Sequence, residues 1–291
     1  MSMHRFQLLY LCSTGRAGST MTMRGLAAHP QICVRAVHPY ETRFTQFVHA
    51  SQALGLTQLD FQQAVAHGPI KYGPFQSQDK VATDWIHHFL AQAPSNPLAE
   101  ANDSFYSSVV KAQGGDLARV SWIAEKAIGH AIPIEKIRAG ESARALFLFR
   151  DPRDTYFSIK AFNRKVGSEG SFNERLGDAK MFGTLISHWR QFQQLRNELG
   201  EKLHGARYED LSCGNSAAWQ AIFDWLEVDA SAAQTTRTLQ ACAQRDQQVE
   251  RHSTTDSVDQ SIGRWRNQAS PADLEIFTKF APELMAMGYT V

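Results

Sequence analysis

The feature that most constrains this chain is an apolar run at residues 6–12, Phe-Gln-Leu-Leu-Tyr-Leu-Cys, which stops abruptly at Ser13-Thr14-Gly15-Arg16-Ala17-Gly18-Ser19-Thr20. A strand that is apolar on both faces belongs in a sheet covered by helices on either side. A helix is expected next, from about Ser19 to Ala28, and His29-Pro30 ends it, because the residue before a proline is pushed out of the helical region. A second junction of this kind lies at residues 145–149, Ala-Leu-Phe-Leu-Phe, which run into Arg150-Asp151-Pro152-Arg153-Asp154 and a helix starting near Asp154. Further strands are expected at residues 32–37, 120–124 and 205–208, and helices at 134–139, 181–199, 219–226 and 271–287. Residues 43–121 read as helices and loops, and 240–263 as a polar, loop-rich stretch. Strands alternating with helices predict an α/β fold, three layers α/β/α around a central parallel sheet. We expect one domain over residues 1–291, with a helical insertion for substrate at about residues 45–121.

With 291 residues the chain can bury a core without disulfides or metals. Its formal net charge of +1 supplies no global field for nucleic acid or an anionic membrane, so any anion site must be a local cluster. Cys12, Cys33, Cys213 and Cys242 form no CxxC pair, and the first two sit in apolar runs, as buried thiols in a reducing compartment would. The apolar run near the N-terminus is too short to span a membrane or serve as a signal peptide. These features together predict a soluble, cytoplasmic protein.

Both strand–turn–helix junctions have the makings of anion sites. A turn of this kind aims backbone N–H groups and the positive end of a helix dipole at one point. The Walker pattern GxxxxGK[ST] is absent, since Gly15 and Gly18 stand too close and no lysine follows Gly18. The loop is therefore P-loop-like, with Arg16 as its cation and Ser19 and Thr20 as hydroxyl donors. At the second junction Arg150 and Ser158 can face one ligand if the chain folds back. A guanidinium suits phosphate because its fork donates two parallel hydrogen bonds.

On these residues the chain resembles the PAPS-dependent sulfotransferases, whose donor is 3′-phosphoadenosine 5′-phosphosulfate (PAPS) and whose nucleotide product is 3′,5′-ADP (PAP). Residues 13–20 resemble the family's 5′-phosphosulfate loop, with the arginine of its carbohydrate branch. The resemblance implies that Arg16, Ala17, Gly18, Ser19 and Thr20 bind the 5′-phosphate and sulfate. Arg150 and Ser158 have the spacing of its 3′-phosphate pair. Arg207-Tyr208-Glu209-Asp210-Leu211 resembles a segment whose tyrosine, here Tyr208, contributes to adenine binding. Ser261-Ile262-Gly263-Arg264-Trp265-Arg266 resembles the loop that closes over the 3′-phosphate, which implicates Ser261, Gly263, Arg264 and Trp265. Glu41-Thr42-Arg43 resembles the E-T-R segment of protein-tyrosine sulfotransferases, whose glutamate is the general base; His38 and His130 are competing bases. Glu125-Lys126 resembles a segment whose lysine contacts the transferring sulfate.

The reaction so implied moves a sulfuryl group from PAPS to a hydroxyl without a metal, with Arg16 and Lys126 neutralising charge on the leaving phosphate. The acceptor is left open among small-molecule, glycan and peptidyl hydroxyls; neither nucleic acid nor a membrane is an expected partner. The competing readings are a P-loop kinase for a nucleotide or small molecule, and a nucleotide-binding module without chemistry. The resemblance covers residues 8–30, 146–164, 207–211 and 261–266 and hardly touches 45–121.

Overall fold

A computed structural model of the chain describes residues 6–45, 101–127, 131–138, 140, 142–167, 176–244, 247, 250 and 253–290. In chain order the elements are β1 (Gln7–Ser13), α1 (Ser19–Ala27), β2 (Ile32–Cys33), α2 (Ala101–Ala112), β3 (Trp122–Lys126), α3 (Ala131–Arg138), β4 (Ala143–Phe149), α4 (Pro152–Val166), α5 (Asp178–Leu199), β5 (Leu203–Arg207), α6 (Tyr208–Ser212), α7 (Ser216–Leu226), α8 (Ala232–Ala243), α9 (Trp265–Gln268), α10 (Pro271–Thr278) and α11 (Ala281–Ala286). The strands form one five-stranded sheet in the order β2-β3-β1-β4-β5. β1 runs parallel to β3, with Gln7 opposite Trp122 and Leu11 opposite Lys126, and β2 is parallel to β3 on its other side. The expected α/β architecture around a parallel sheet is therefore the one observed.

The burial of β1 explains its composition. Leu9 and Leu11 are buried on one face, Leu8 and Tyr10 on the other, so no position alternates to solvent. Cys12 and Cys33 are buried free thiols, and loss of hydration pushes Cys33 up to about 12.

The chain divides into two compact units. One comprises Met1–Cys12 and Met23–Ala145, the other Ser13–Thr22 and Leu146–Val291. In the second unit α5 lays Phe192 against Phe147 and Phe149 of β4, with ring centroids 5.4 Å and 5.1 Å apart. Such pairs add roughly 0.5–1.5 kcal/mol each beyond the area they bury. Helix α4 starts at Pro152, ahead of the expected Asp154. Asp151 caps it by accepting from the Arg153 N–H at 2.9 Å, and proline, lacking an N–H, suits the first turn.

The departures from expectation are local. The second strand is confined to Ile32–Cys33, and the third begins at Trp122 and extends through Lys126. The expected terminal helix is two helices, α10 and α11, because Pro282 cannot continue an α-helical ladder and instead opens the second. α8 runs to Ala243 and shortens the expected loop. Of the expected insertion, residues 46–100 lie outside the described residues. Among the described residues no helix is long and apolar enough to cross a membrane.

Candidate active site

The turn after β1, which belongs to the second unit, uses two left-handed residues, Arg16 at φ 66° and Gly18 at φ 92°. Glycine is required at the second. A Cβ there would stand 2.3 Å from Cδ2 of Tyr208, inside any possible contact distance. Arg16 bears its strain, about 1–3 kcal/mol for such a backbone, because its surroundings hold it. Its carbonyl accepts from Nη1 of Arg150 at 2.9 Å, and its guanidinium lies over the Phe162 ring, 4.4 Å from the centroid. The Gly18 carbonyl then accepts from the Thr22 N–H at 3.1 Å, and α1 begins with Ser19 and Thr20 in its first turn.

This interlock yields a first prediction. Gly18→Ala combines left-handed strain with overpacking and is expected to cost about 2–5 kcal/mol. Thermal melts should show a lower Tm, and Gly18→Ala with Tyr208→Ala should be less than additive. A Gly18→Ala variant melting with the parent would refute the interlock.

Arg150 is the centre of the second unit's polar network. It is only 8% exposed. Its Nη1 donates to the Arg16 carbonyl and its Nη2 to the Ser261 carbonyl at 2.6 Å, while the guanidinium lies 4.8 Å from the Tyr208 ring centroid. The Tyr208 hydroxyl is 3.2 Å from Oγ of Ser261. Ser158, buried on α4, has its Oγ 3.3 Å from Oγ1 of Thr254, and Nη1 of Arg264 donates to that same Thr254 oxygen at 3.0 Å. Two strand ends and the loop before α9 thus meet at one place.

Three guanidinium groups shape the electrostatics of that place. Burial first, then the charges of Arg150 and Arg264, pull Arg16 down to about 10. Arg264 is lowered by burial and by Arg150, against the opposing pull of Asp154. Neither Arg150 nor Arg264 forms an ion pair with a carboxylate among the described residues. The buried Nε of each lacks a hydrogen-bond partner there. Guanidinium groups gathered in this way suit a ligand of high negative charge.

An Arg150–Asp154 ion pair, the plain structural alternative at this strand end, is not formed. Asp154 instead accepts from the N–H of Gly263 at 2.7 Å and of Trp265 at 3.1 Å. Burial, and then the neighbouring Asp151 carboxylate, raise its proton affinity above that of an ordinary aspartate. The backbone donors of Gly263 and Trp265 are therefore engaged within the protein, and the Ser261 hydroxyl donates to the Val258 carbonyl at 2.7 Å. Of the four loop residues expected to meet nucleotide, Arg264 is the one with a guanidinium left to offer. Tyr208 packs its ring on Gly18 and Arg150, while its neighbour Glu209 accepts from the Asp151 N–H at 2.9 Å and so pins the end of β4. Ala17 is fully buried, and Ser19 and Thr20 are half-buried.

Sequence reasoning did not single out Thr254, Phe162, Asp154 or Glu209 for these roles. Asp154 and Glu209 stand inside segments already marked, so proximity to Arg150 and Tyr208 was their only signal. Thr254 lies in a polar stretch with none.

The other residues expected from the sequence, Lys126, Glu41 and His38, belong to the first unit. Lys126, at the carboxyl end of β3, is 5% exposed. Its Nζ donates to the Pro39 carbonyl and lies 3.8 Å from Oε1 of Glu41. Burial lowers it to about 8, with Glu41 opposing that fall and Arg43 adding to it. Glu41 is half-buried, and its other oxygen is 3.3 Å from Nη2 of Arg43. Its carboxylate is thus both the partner of Arg43 and a neighbour of Lys126. Glu125, pointing to the opposite face, is sealed in the interior at 1% exposure. It accepts from the Thr45 N–H at 2.8 Å, the Thr45 hydroxyl at 2.6 Å and the Tyr106 hydroxyl. That network fastens the segment following Glu41 to β3. His38 is half-buried with its ring edge-on to Tyr40, and His130 lies outside the described residues.

Comparison with known proteins identifies the family and the fold. The model of a family described as the sulfotransferase family matches residues 9–232, and the chain belongs to that family. No curated protein sequence matches it. Among solved structures, the sulfotransferase domain of the Synechococcus PCC 7002 olefin synthase is 18% identical with a TM-score of 0.56, covering 98% of this chain and 95% of that one. The sulfotransferase domain from the curacin biosynthetic pathway is 15% identical with a TM-score of 0.59, covering 98% of both chains. Mouse sulfotransferase SULT7A1, solved in complex with PAP, is 11% identical with a TM-score of 0.55, covering 96% of this chain and 84% of that one. At these identities the likeness is one of fold.

Proposed function

We propose that this sulfotransferase takes its sulfuryl group from PAPS and delivers it to a hydroxyl acceptor. The observation that carries the reading is the gathering of Arg16, Arg150 and Arg264, where burial and then their charges lower Arg16 and Arg264, with Ser158 and Thr254 beside them. The PAP complex of the mouse relative supports a bisphosphorylated adenosine as the ligand. In this reading Arg16 and the N–H groups at the start of α1 hold the 5′ end, and Arg150, Ser158 and Arg264 hold the 3′-phosphate. The donor supplies an activated sulfuryl group, and the protein orients it and neutralises charge on the departing phosphate oxygen. Lys126 is assigned to that charge. Its burial at the carboxyl end of β3, which lowers it to about 8, supports the assignment. Glu41 takes the acceptor's proton. Acceptor recognition is assigned to the stretch at residues 45–121.

The test is calorimetry followed by turnover. PAP should bind with micromolar or tighter affinity, about −8 kcal/mol, and ATP–Mg²⁺ far more weakly. Labelled sulfate should pass from PAPS to phenolic or sugar hydroxyls. Preference for ATP–Mg²⁺ would favour kinase chemistry instead, and binding of PAP without any transfer would leave a nucleotide-binding module.

A further inference from the structure

Asp154 forms no ion pair with Arg150 or Arg264 among the described residues, yet it is among the most deeply buried charged groups of the second unit, at 1% exposure. Its two oxygens are spent on two backbone donors, Gly263 at 2.7 Å through Oδ2 and Trp265 at 3.1 Å through Oδ1. Those donors flank a single residue, Arg264. Gly263 adopts φ 71°, which turns its N–H and that of Trp265 toward the same carboxylate. A backbone concavity of this kind commonly cradles an external anion; here an internal one fills it.

The clamp is buttressed from both sides. Asp151 binds the Arg153 guanidinium through contacts of 2.8–3.2 Å, and that guanidinium lies 3.9 Å from the Trp265 ring centroid. Arg150 secures the preceding turn through the Ser261 carbonyl. One side chain emerges from the clamped loop toward Ser158 and Thr254, and it is Arg264.

We infer that Asp154 is a positioning residue for the 3′-phosphate subsite: by gripping the backbone on either side of Arg264, it sets that guanidinium beside Ser158 and Thr254 before nucleotide arrives. The inference rests on the PAPS reading above. It assigns discrimination between nucleotides with and without a 3′-phosphate to a carboxylate that does not touch the ligand. Preorganisation of this sort spares the cost of ordering a long side chain on binding.

The experiment measures PAP and adenosine 5′-phosphate, which lacks the 3′-phosphate, against the full-length protein by calorimetry. Asp154→Asn keeps shape but places an amide against an N–H donor. It is expected to weaken PAP about 10- to 100-fold while leaving adenosine 5′-phosphate within about threefold, as loss of a hydrogen bond to a charged group would. Arg264→Ala should show the same split, and Asp154→Asn with Arg264→Ala should be no worse than Arg264→Ala alone. Asp154→Glu, which retains the charge, should recover part of the loss. A loss of PAP affinity in Arg264→Ala but not in Asp154→Asn overturns the inference, as does an equal loss for both nucleotides in Asp154→Asn. Should Asp154→Asn not fold, hydrogen exchange on the ligand-free parent decides. Slow exchange at the Gly263 and Trp265 amides upholds the clamp, and exchange at the rate of open loop overturns it. Failure of the parent to prefer PAP over adenosine 5′-phosphate would count against the PAPS reading itself.

Discussion

Arg150→Ala is expected to weaken PAP binding by about 30- to 4000-fold, the range set by 2–5 kcal/mol for truncating a buried, hydrogen-bonded charge. Arg150 hydrogen-bonds both the turn after β1 and the loop before α9, through the carbonyls of Arg16 and Ser261. In the proposed reading its removal takes away a phosphate donor, and in any case it leaves two carbonyls to find new partners, at about 1–3 kcal/mol for each that stays buried. The variant should therefore lose stability as well as affinity. Arg150→Lys should recover only part of either, because an ammonium lacks the fork that reaches both carbonyls. Calorimetry with PAP and a thermal melt read the two effects separately. Retention of parental affinity by Arg150→Ala would remove the central residue from the proposed site.

The second large effect concerns Lys126. Lys126→Met is expected to lower kcat by about 10²–10³, the usual loss when one preorganised charge-stabilising donor is removed, with PAP affinity much less affected. The pH dependence follows from its burial. In the free enzyme Lys126 loses its proton near pH 8, well below the 10.5 of an exposed lysine. The charged form is the one that stabilises a departing phosphate, so kcat/KM for the donor should fall as pH rises through about 8. Lys126→Arg should carry that limb to higher pH, since a guanidinium stays charged. Glu41→Gln offers the contrast. It should lose about 10²–10⁴ in kcat, with nucleotide affinity unchanged. A flat profile between pH 7 and about 9.5 would place the charge-stabilising role elsewhere.

How much of this was legible in advance depends on what kind of information each feature needs. β1 and β4 were readable because both faces are buried, which writes an unbroken apolar run into the sequence. The turns at Arg16 and Arg150 were readable as turns because short-range order, strand then turn then helix, is written locally. The meeting of the two was not, since 134 positions separate Arg150 from the carbonyl it holds. β2 is shorter than expected because the backbone past Cys33 bonds to a side chain instead of continuing the ladder: the Gln113 amide donates to the Val34 carbonyl at 3.1 Å and accepts from the Ala36 N–H at 2.9 Å. Gly263 and Trp265 were assigned to ligand because a glycine-containing basic loop looks the same whether its backbone donors face a phosphate or a carboxylate. Only coordinates reveal that Asp154 is there first. Tyr208 illustrates the same limit. Its sequence neighbourhood marks it as important, while its packing on Gly18 shows a duty to the phosphate loop's shape.

The bonds from Arg150 also bear on how the protein matures. Its partners lie 134 positions before it and 111 after it, so the proposed binding place is complete only once synthesis has passed Ser261 and the chain has closed on itself. Loop closure of that length is costly in entropy, and long-range closures of this kind form late in folding. Nucleotide at about 100 times its Kd would then reward the finished chain alone, by about 2.7 kcal/mol. Cellular pools of the donor nucleotide would in that way act as a chaperone of sorts, sheltering newly made molecules from proteolysis.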